Sequence, residues 1–193
     1  MNLPNKLTLA RIVLVPVFMV FMYIRKPVYQ YIAVAIFILA SLTDLLDGRI
    51  ARSRNMVTTF GKFLDPIADK LLVMSALVML VCHLKMPAWV CVIMLAREFI
   101  VTGLRLVASS EGKVIAAGIW GKLKTVTQMI FIPMAIVFIP FRDGYYLNHP
   151  YSLHTPQNVL EWITIIMMFV SCALTLWSGF LYVWQNRGFI KDM

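Results

Sequence analysis

Long apolar runs, interrupted by short polar and charged segments, dominate the chain. A helix that crosses a bilayer needs about 20 mostly apolar residues. Six stretches meet that length: roughly 8–24, 29–53, 60–83, 87–108, 122–140 and 159–185. The last has no charge between Glu161 and Arg187, and the first none from Ile12 to Ile24. The middle four carry charges at one end only. The second ends in Asp44, Asp47, Arg49 and Arg52, and the third begins with Lys62, Asp65, Asp69 and Lys70. The fourth ends in Arg97, Glu98 and Arg105, and the fifth begins with Lys122 and Lys124. The pattern predicts an all-α integral membrane protein of six transmembrane helices, with residues 1–193 forming one domain.

Alternating these spans across a membrane brings every charged helix end to one leaflet, with both chain ends on the same side. A polar cavity opening on that leaflet follows. The basic residues agree: Lys6, Arg11, Arg49, Arg52, Arg54, Lys62, Lys113, Lys122, Lys124, Arg187 and Lys191 fall at or near that face. Arg25, Lys26, Lys85 and Arg142 fall on the other. The positive-inside rule then places the cavity and both termini in the cytoplasm. The longest connection is expected over about 141–158, where Pro140, Asp143-Gly144 and Asn148-His149-Pro150 are turn signals.

Composition supports lipid as the solvent. The chain is 61% hydrophobic and 14% charged, against about 25% charged in an average soluble domain. Its net charge of +9 would suggest nucleic acid in a soluble protein. Here the cations lie between apolar runs, so anionic lipid and topology account for them instead. Cys82, Cys91 and Cys172 lie in apolar stretches without metal-type spacing and read as packing residues. The basic start followed by an apolar run lacks a small-residue cleavage site and reads as a retained first span.

The chemistry is concentrated in residues 44–69. Asp44 and Asp47 are three apart, and Asp65 and Asp69 four apart, so each pair shares a helical face. Two antiparallel helices joined by a short loop can gather all four carboxylates. Such a cluster near lipid needs compensating cations. Arg49, Arg52 and Lys70 could supply them as salt bridges. Ionisable residues within a span are, however, functional by default. Oxygen ligands without neighbouring His or Cys favour Mg²⁺ or Mn²⁺, and His83, His149 and His154 all map to the opposite side. Two divalent ions suit phosphoryl chemistry, where they clamp the attacking and leaving oxygens. Gly48 and Gly61, costly inside helices, would let a ligand or a neighbouring helix approach closely.

These residues resemble the signature of the CDP-alcohol phosphatidyltransferase family, D-x₂-D-G-x₂-A-R-x₈-G-x₃-D-x₃-D. Asp44, Asp47, Gly48, Ala51, Arg52, Gly61, Asp65 and Asp69 fill every fixed position. The resemblance implies that Asp44, Asp47, Asp65 and Asp69 bind two divalent cations and that Asp69 is also the general base. It implies CDP contacts from Asp44, Gly48, Arg52 and Gly61, and from Asn5 and Thr8 in Pro4-Asn5-Lys6-Leu7-Thr8-x-x-Arg11. Thr8 reads equally as a helix N-terminal residue.

The segments Arg97-Glu98-x₆-Arg105 and Gly121-Lys122-x-Lys124-Thr125-x₂-Gln128 resemble the branch of that family whose acceptor is sn-glycerol 3-phosphate. Arg105, Lys122 and Lys124 would then hold the acceptor phosphate, while Glu98 reads first as half of an internal ion pair with Arg97. The implied reaction moves the phosphatidyl group of CDP-diacylglycerol onto sn-glycerol 3-phosphate in phospholipid biosynthesis. The implied setting is a homodimer in a bacterial plasma membrane. Alternatives are the same transfer to another acceptor, as in cardiolipin, phosphatidylserine or phosphatidylinositol-type synthases, and, in another class, a cation transporter. A binding subunit without turnover would need a broken signature.

Overall fold

The structure, a computed structural model, describes residues 3–24, 26–53, 59–83, 85–111, 118–148 and 159–187. Side chains are described at 8–24, 26–43, 67–68, 70–83, 85–111, 118–138 and 159–187. The described residues form six helices: α1 (Leu3–Tyr23), α2 (Pro27–Ser53), α3 (Thr59–Cys82), α4 (Ala88–Ser110), α5 (Ile119–Asn148) and α6 (Val159–Gln185). Each coincides with one of the six apolar stretches. Two stretches, Ile119–Phe138 and Val159–Gln185, are long and apolar enough to cross a membrane, and shorter apolar runs cover Thr8–Tyr23, Pro27–Thr43 and Lys70–Cys82.

One boundary departs from expectation. The turn signals around Asp143-Gly144 do not end a helix, because α5 continues to Asn148. A glycine inside a helix costs only about 1 kcal/mol relative to alanine. A helix already nucleated gains a backbone hydrogen bond with each further residue.

The chain divides into two compact units, Met1–Lys85 with Ala135–Leu153 and Met86–Met134 with His154–Met193. In the first, α1 packs along both α2 and α3, which meet each other over a shorter stretch. Ring pairs fix the direction of α2. Phe21 stacks on Tyr29 at 5.8 Å and Phe18 meets Phe37 at 6.0 Å, so α2 runs antiparallel to α1. His83 Nε2 lies 2.8 Å from the Met22 carbonyl, which ties the C-terminal end of α3 to that of α1. The start of α1, the end of α2 and the start of α3 therefore share one end of this unit. Phe18, Met22, Ala33, Phe37, Ala40, Ala76, Leu77 and Leu80 are buried in its core.

In the second unit α4 packs on α6. Trp89 at the start of α4 meets Phe169 in the middle part of α6, and Arg105 lies over Tyr182 near the end of both, so the two helices run parallel. Val90, Met94, Val101, Met168 and Cys172 are buried here. The outer surfaces stay apolar: Val13, Val20, Leu39, Leu106, Ile166 and Trp184 are each more than half exposed. So many exposed large side chains mark an apolar surrounding rather than water. Helix hydroxyls meet the same constraint locally. Ser41, Thr43, Ser75, Thr164, Thr175 and Ser178 each donate to a carbonyl one turn back in their own helix.

Candidate active site

The signature residues occupy the shared end of the first unit. Asp44, Asp47, Gly48 and Arg52 lie on α2, and Gly61, Asp65 and Asp69 on α3, while Asn5 lies on α1. Their side chains lie outside the described residues, but the helix bounds set their depth. Asp47 stands six residues before the end of α2 at Ser53, and Asp65 six residues after the start of α3 at Thr59. Both are therefore about 9 Å along their helices from the shared end. Asp44 and Asp69 stand nine and ten residues from the same ends, about one turn further inward at about 14–15 Å. The four aspartates thus lie toward the same end of two antiparallel helices, none more than ten residues from its helix terminus. An all-carboxylate donor set of this kind suits hard divalent cations.

Two residues of α1 reach the same depth. Thr8 is buried, and α1 begins at Leu3, so Thr8 sits in the second turn rather than at a cap. Arg11, read from the sequence as a topological charge, is also buried at 1% exposure, eight residues into α1. A guanidinium so enclosed must be paired or solvated by polar groups, and α1 packs on both aspartate-bearing helices. His83 is remote from this level, fourteen residues beyond Asp69 and just past the end of α3, where it meets the Met22 carbonyl. His149 and His154 lie outside the described residues. Among the described residues no group of three His, Cys, Asp or Glu is placed to hold a metal ion.

The second unit holds a buried polar cluster. Lys124, 3% exposed at the start of α5, forms an ion pair with Glu98. Arg97 Nη1 lies 3.7 Å from the same carboxylate. Glu98 therefore has the internal ion-pair role read for it, but its closer partner is Lys124. Lys122 and Arg105 are exposed, with the Arg105 guanidinium 5.4 Å from the centre of the Tyr182 ring. On α6 the buried residues Ser171, Thr175, Ser178 and Tyr182 form a polar stripe, and Gln128 is buried one turn beyond Lys124 on α5. This stripe was legible in the sequence as hydroxyls recurring at helical spacing in the most apolar span.

Arg97 owes its position to a glycine. A Cβ on Gly179 would come within 2.9 Å of Arg97 Cγ, a mid-chain atom with little freedom to retreat. A Cβ on Gly121 would sit 3.5 Å from Arg97 Nη2, an ordinary contact. Gly179→Ala is expected to cost about 1–3 kcal/mol through overpacking, read as a lower unfolding temperature in detergent. Gly121→Ala should be much milder. Adding Arg97→Ala to Gly179→Ala should remove most of the penalty, because the two sites then no longer collide. Equal effects of the two glycine substitutions would refute this assignment.

Comparison with known proteins agrees with the signature. A model of the CDP-alcohol phosphatidyltransferase family matches residues 1–177. The chain is 46% identical to a CDP-diacylglycerol–glycerol-3-phosphate 3-phosphatidyltransferase of Bacillus subtilis, over 74% of this chain and 84% of the relative. It is 36% identical to the protein of that name from Rickettsia bellii, over 94% and 93% of the two chains. It is 34% identical to the one from Haemophilus influenzae, over 99% and 96%. With the eight fixed signature positions filled and a family match running from α1 into α6, the chain belongs to the CDP-alcohol phosphatidyltransferase family.

Proposed function

We propose that this enzyme transfers the phosphatidyl group of CDP-diacylglycerol to sn-glycerol 3-phosphate, releasing CMP and forming phosphatidylglycerophosphate. The observation that supports the reaction is the placement of Asp44 and Asp47 toward the end of α2 and of Asp65 and Asp69 toward the start of α3, at the end that these helices share. The relatives' names carry the acceptor.

Asp44, Asp47, Asp65 and Asp69 would hold two Mg²⁺ or Mn²⁺ ions. When bound, these ions would neutralise phosphate charge and steady the attacking and leaving oxygens. Asn5, Thr8, Asp44, Gly48, Arg52 and Gly61 would hold the CDP group, the two glycines by letting the nucleotide approach the helix backbone. Asp69 takes the proton of the acceptor's 1-hydroxyl. That oxygen attacks the β-phosphorus, and the phosphoanhydride bond breaks to release CMP. Arg105, Lys122 and Lys124 would hold the acceptor phosphate. Lys124 already faces Glu98, so its share of that work is smaller than that of the two exposed cations.

The proposed setting is a plasma membrane crossed by all six helices, with the aspartate end of the first unit and both termini in the cytoplasm, and a homodimeric assembly. The shared end of α1, α2 and α3 supports that orientation. His83 and the α1–α2 connection lie at the opposite end, remote from the aspartates.

CMP release by the purified protein tests the reading. Release from CDP-diacylglycerol should require a divalent cation, stop with EDTA, and occur with sn-glycerol 3-phosphate but not with serine, inositol, inositol phosphate or phosphatidylglycerol. Release with a different acceptor would retain the aspartate site and remove the roles given to Arg105, Lys122 and Lys124. Metal binding without CMP release from any acceptor would instead favour cation transport.

A further inference from the structure

Between α4 and α6, within the second unit, runs a groove of about 410 Å³. Ile93, Ile100 and Val101 form one wall and Leu176, Phe180 and Val183 the other. Its floor is the aliphatic stem of Arg97 lying against Gly179. The walls follow the helix axes from Ile93 to Val101, about 12 Å. That is close to the roughly 15 Å hydrocarbon depth of one leaflet.

An exposed aromatic ladder borders the groove. Trp120 meets Trp177 edge-on at 6.4 Å, Trp177 meets Phe180 at 6.3 Å, and Phe180 stacks on Trp184 at 5.8 Å. The guanidinium of Arg187 caps the ladder, 4.4 Å from the centre of the Trp184 ring. Trp177, Phe180 and Trp184 are each about half exposed. Large rings left this open, graded from an apolar channel to a cation, match the change from acyl chain to headgroup. Arg105, over Tyr182, is a second cation toward the same end of α4 and α6.

We propose that this groove binds one acyl chain of an anionic bilayer phospholipid, with Arg187 on its headgroup phosphate. The residues that wall it are not those of the signature. The groove is walled by α4 and α6, whereas the signature that would bind CDP lies on α2 and α3. The occupant is a resident lipid rather than a reactant, selected by headgroup charge.

Tryptophan quenching by lipids brominated on the acyl chain tests this in nanodiscs. The full-length protein would be placed in phosphatidylcholine containing a minor fraction of brominated phosphatidylglycerol or brominated phosphatidylcholine. Half-maximal quenching is expected at an about fivefold lower fraction of the anionic lipid, the preference one basic residue confers near an anionic headgroup. Arg187→Gln should bring the two curves together. Ala96→Phe, which fills the exposed wall of the groove, should weaken quenching by both lipids. Should that variant fold poorly, the surface substitution at Arg187 still decides the headgroup. Coincident curves in the wild type, or an anionic preference that survives Arg187→Gln, would overturn the proposal. So would loss of the preference on adding unbrominated CDP-diacylglycerol, which would assign the groove to the substrate.

Discussion

Asp69→Asn is expected to lower turnover by about 10²–10⁴-fold, the usual contribution of a positioned general base, while CDP-diacylglycerol still binds. The amide keeps the size of the carboxylate but cannot accept the acceptor's proton. It retains a carbonyl oxygen, so divalent ions held there would lose one negative charge and not a whole ligand. Asp69 is the inner of the two α3 aspartates, ten residues from Thr59. The comparison variant is Asp65→Asn, which should raise the cation concentration needed for half-maximal activity without the same fall at saturating metal. The measurement is CMP release against metal concentration, together with equilibrium binding of the CDP-lipid. Full activity of Asp69→Asn at saturating metal would remove the base assignment. Loss of CDP-lipid binding in parallel with activity would leave Asp69 as a cation ligand alone.

The second large effect is on stability. Glu98→Ala is expected to destabilise the protein by about 3–5 kcal/mol, because it strands a buried ammonium. The Lys124 side chain is 4% exposed and that of Glu98 18%, so solvent screens little of their attraction. Their charges also sit on different helices, α4 and α5, so the pair fixes the start of α5 against α4. Removing both charges together, as Glu98→Gln with Lys124→Met, should restore most of the loss, since the desolvation cost disappears with the attraction. Thermal unfolding in detergent checks this, and a double substitution as unstable as Glu98→Ala would contradict it. Activity separates the other role of Lys124. If it also holds the acceptor phosphate, Lys124→Met raises KM for sn-glycerol 3-phosphate in protein that remains folded. An unchanged KM would leave that work to Arg105 and Lys122.

The sequence alone determined the six helices, because apolar runs of bilayer length with charges at their ends admit few other arrangements. It also singled out the aspartate set, since the spacings of Asp44 with Asp47 and of Asp65 with Asp69 put each pair on one face of a helix. The family followed from the same eight positions. The end of α5 was misread because Asp143-Gly144 is a turn signal only where a helix has reason to stop. Local chemistry there was weaker than propagation of a helix already formed.

Tertiary structure decided what depends on partners distant in the chain. Arg11 and Lys124 looked like topological or ligand-binding cations, yet both are buried, and a residue's exposure is set by the helices packed against it. Glu98 chose Lys124, 26 residues away, as its closer partner over the adjacent Arg97. On a helix, neighbours in sequence point about 100° apart, whereas a facing helix can present a cation directly. Gly179 could have served packing, bending or a ligand. Only the Arg97 stem lying across it shows why a side chain is excluded there. The groove between α4 and α6 was equally invisible, because its two walls lie more than 70 residues apart and meet only when the two helices align in parallel.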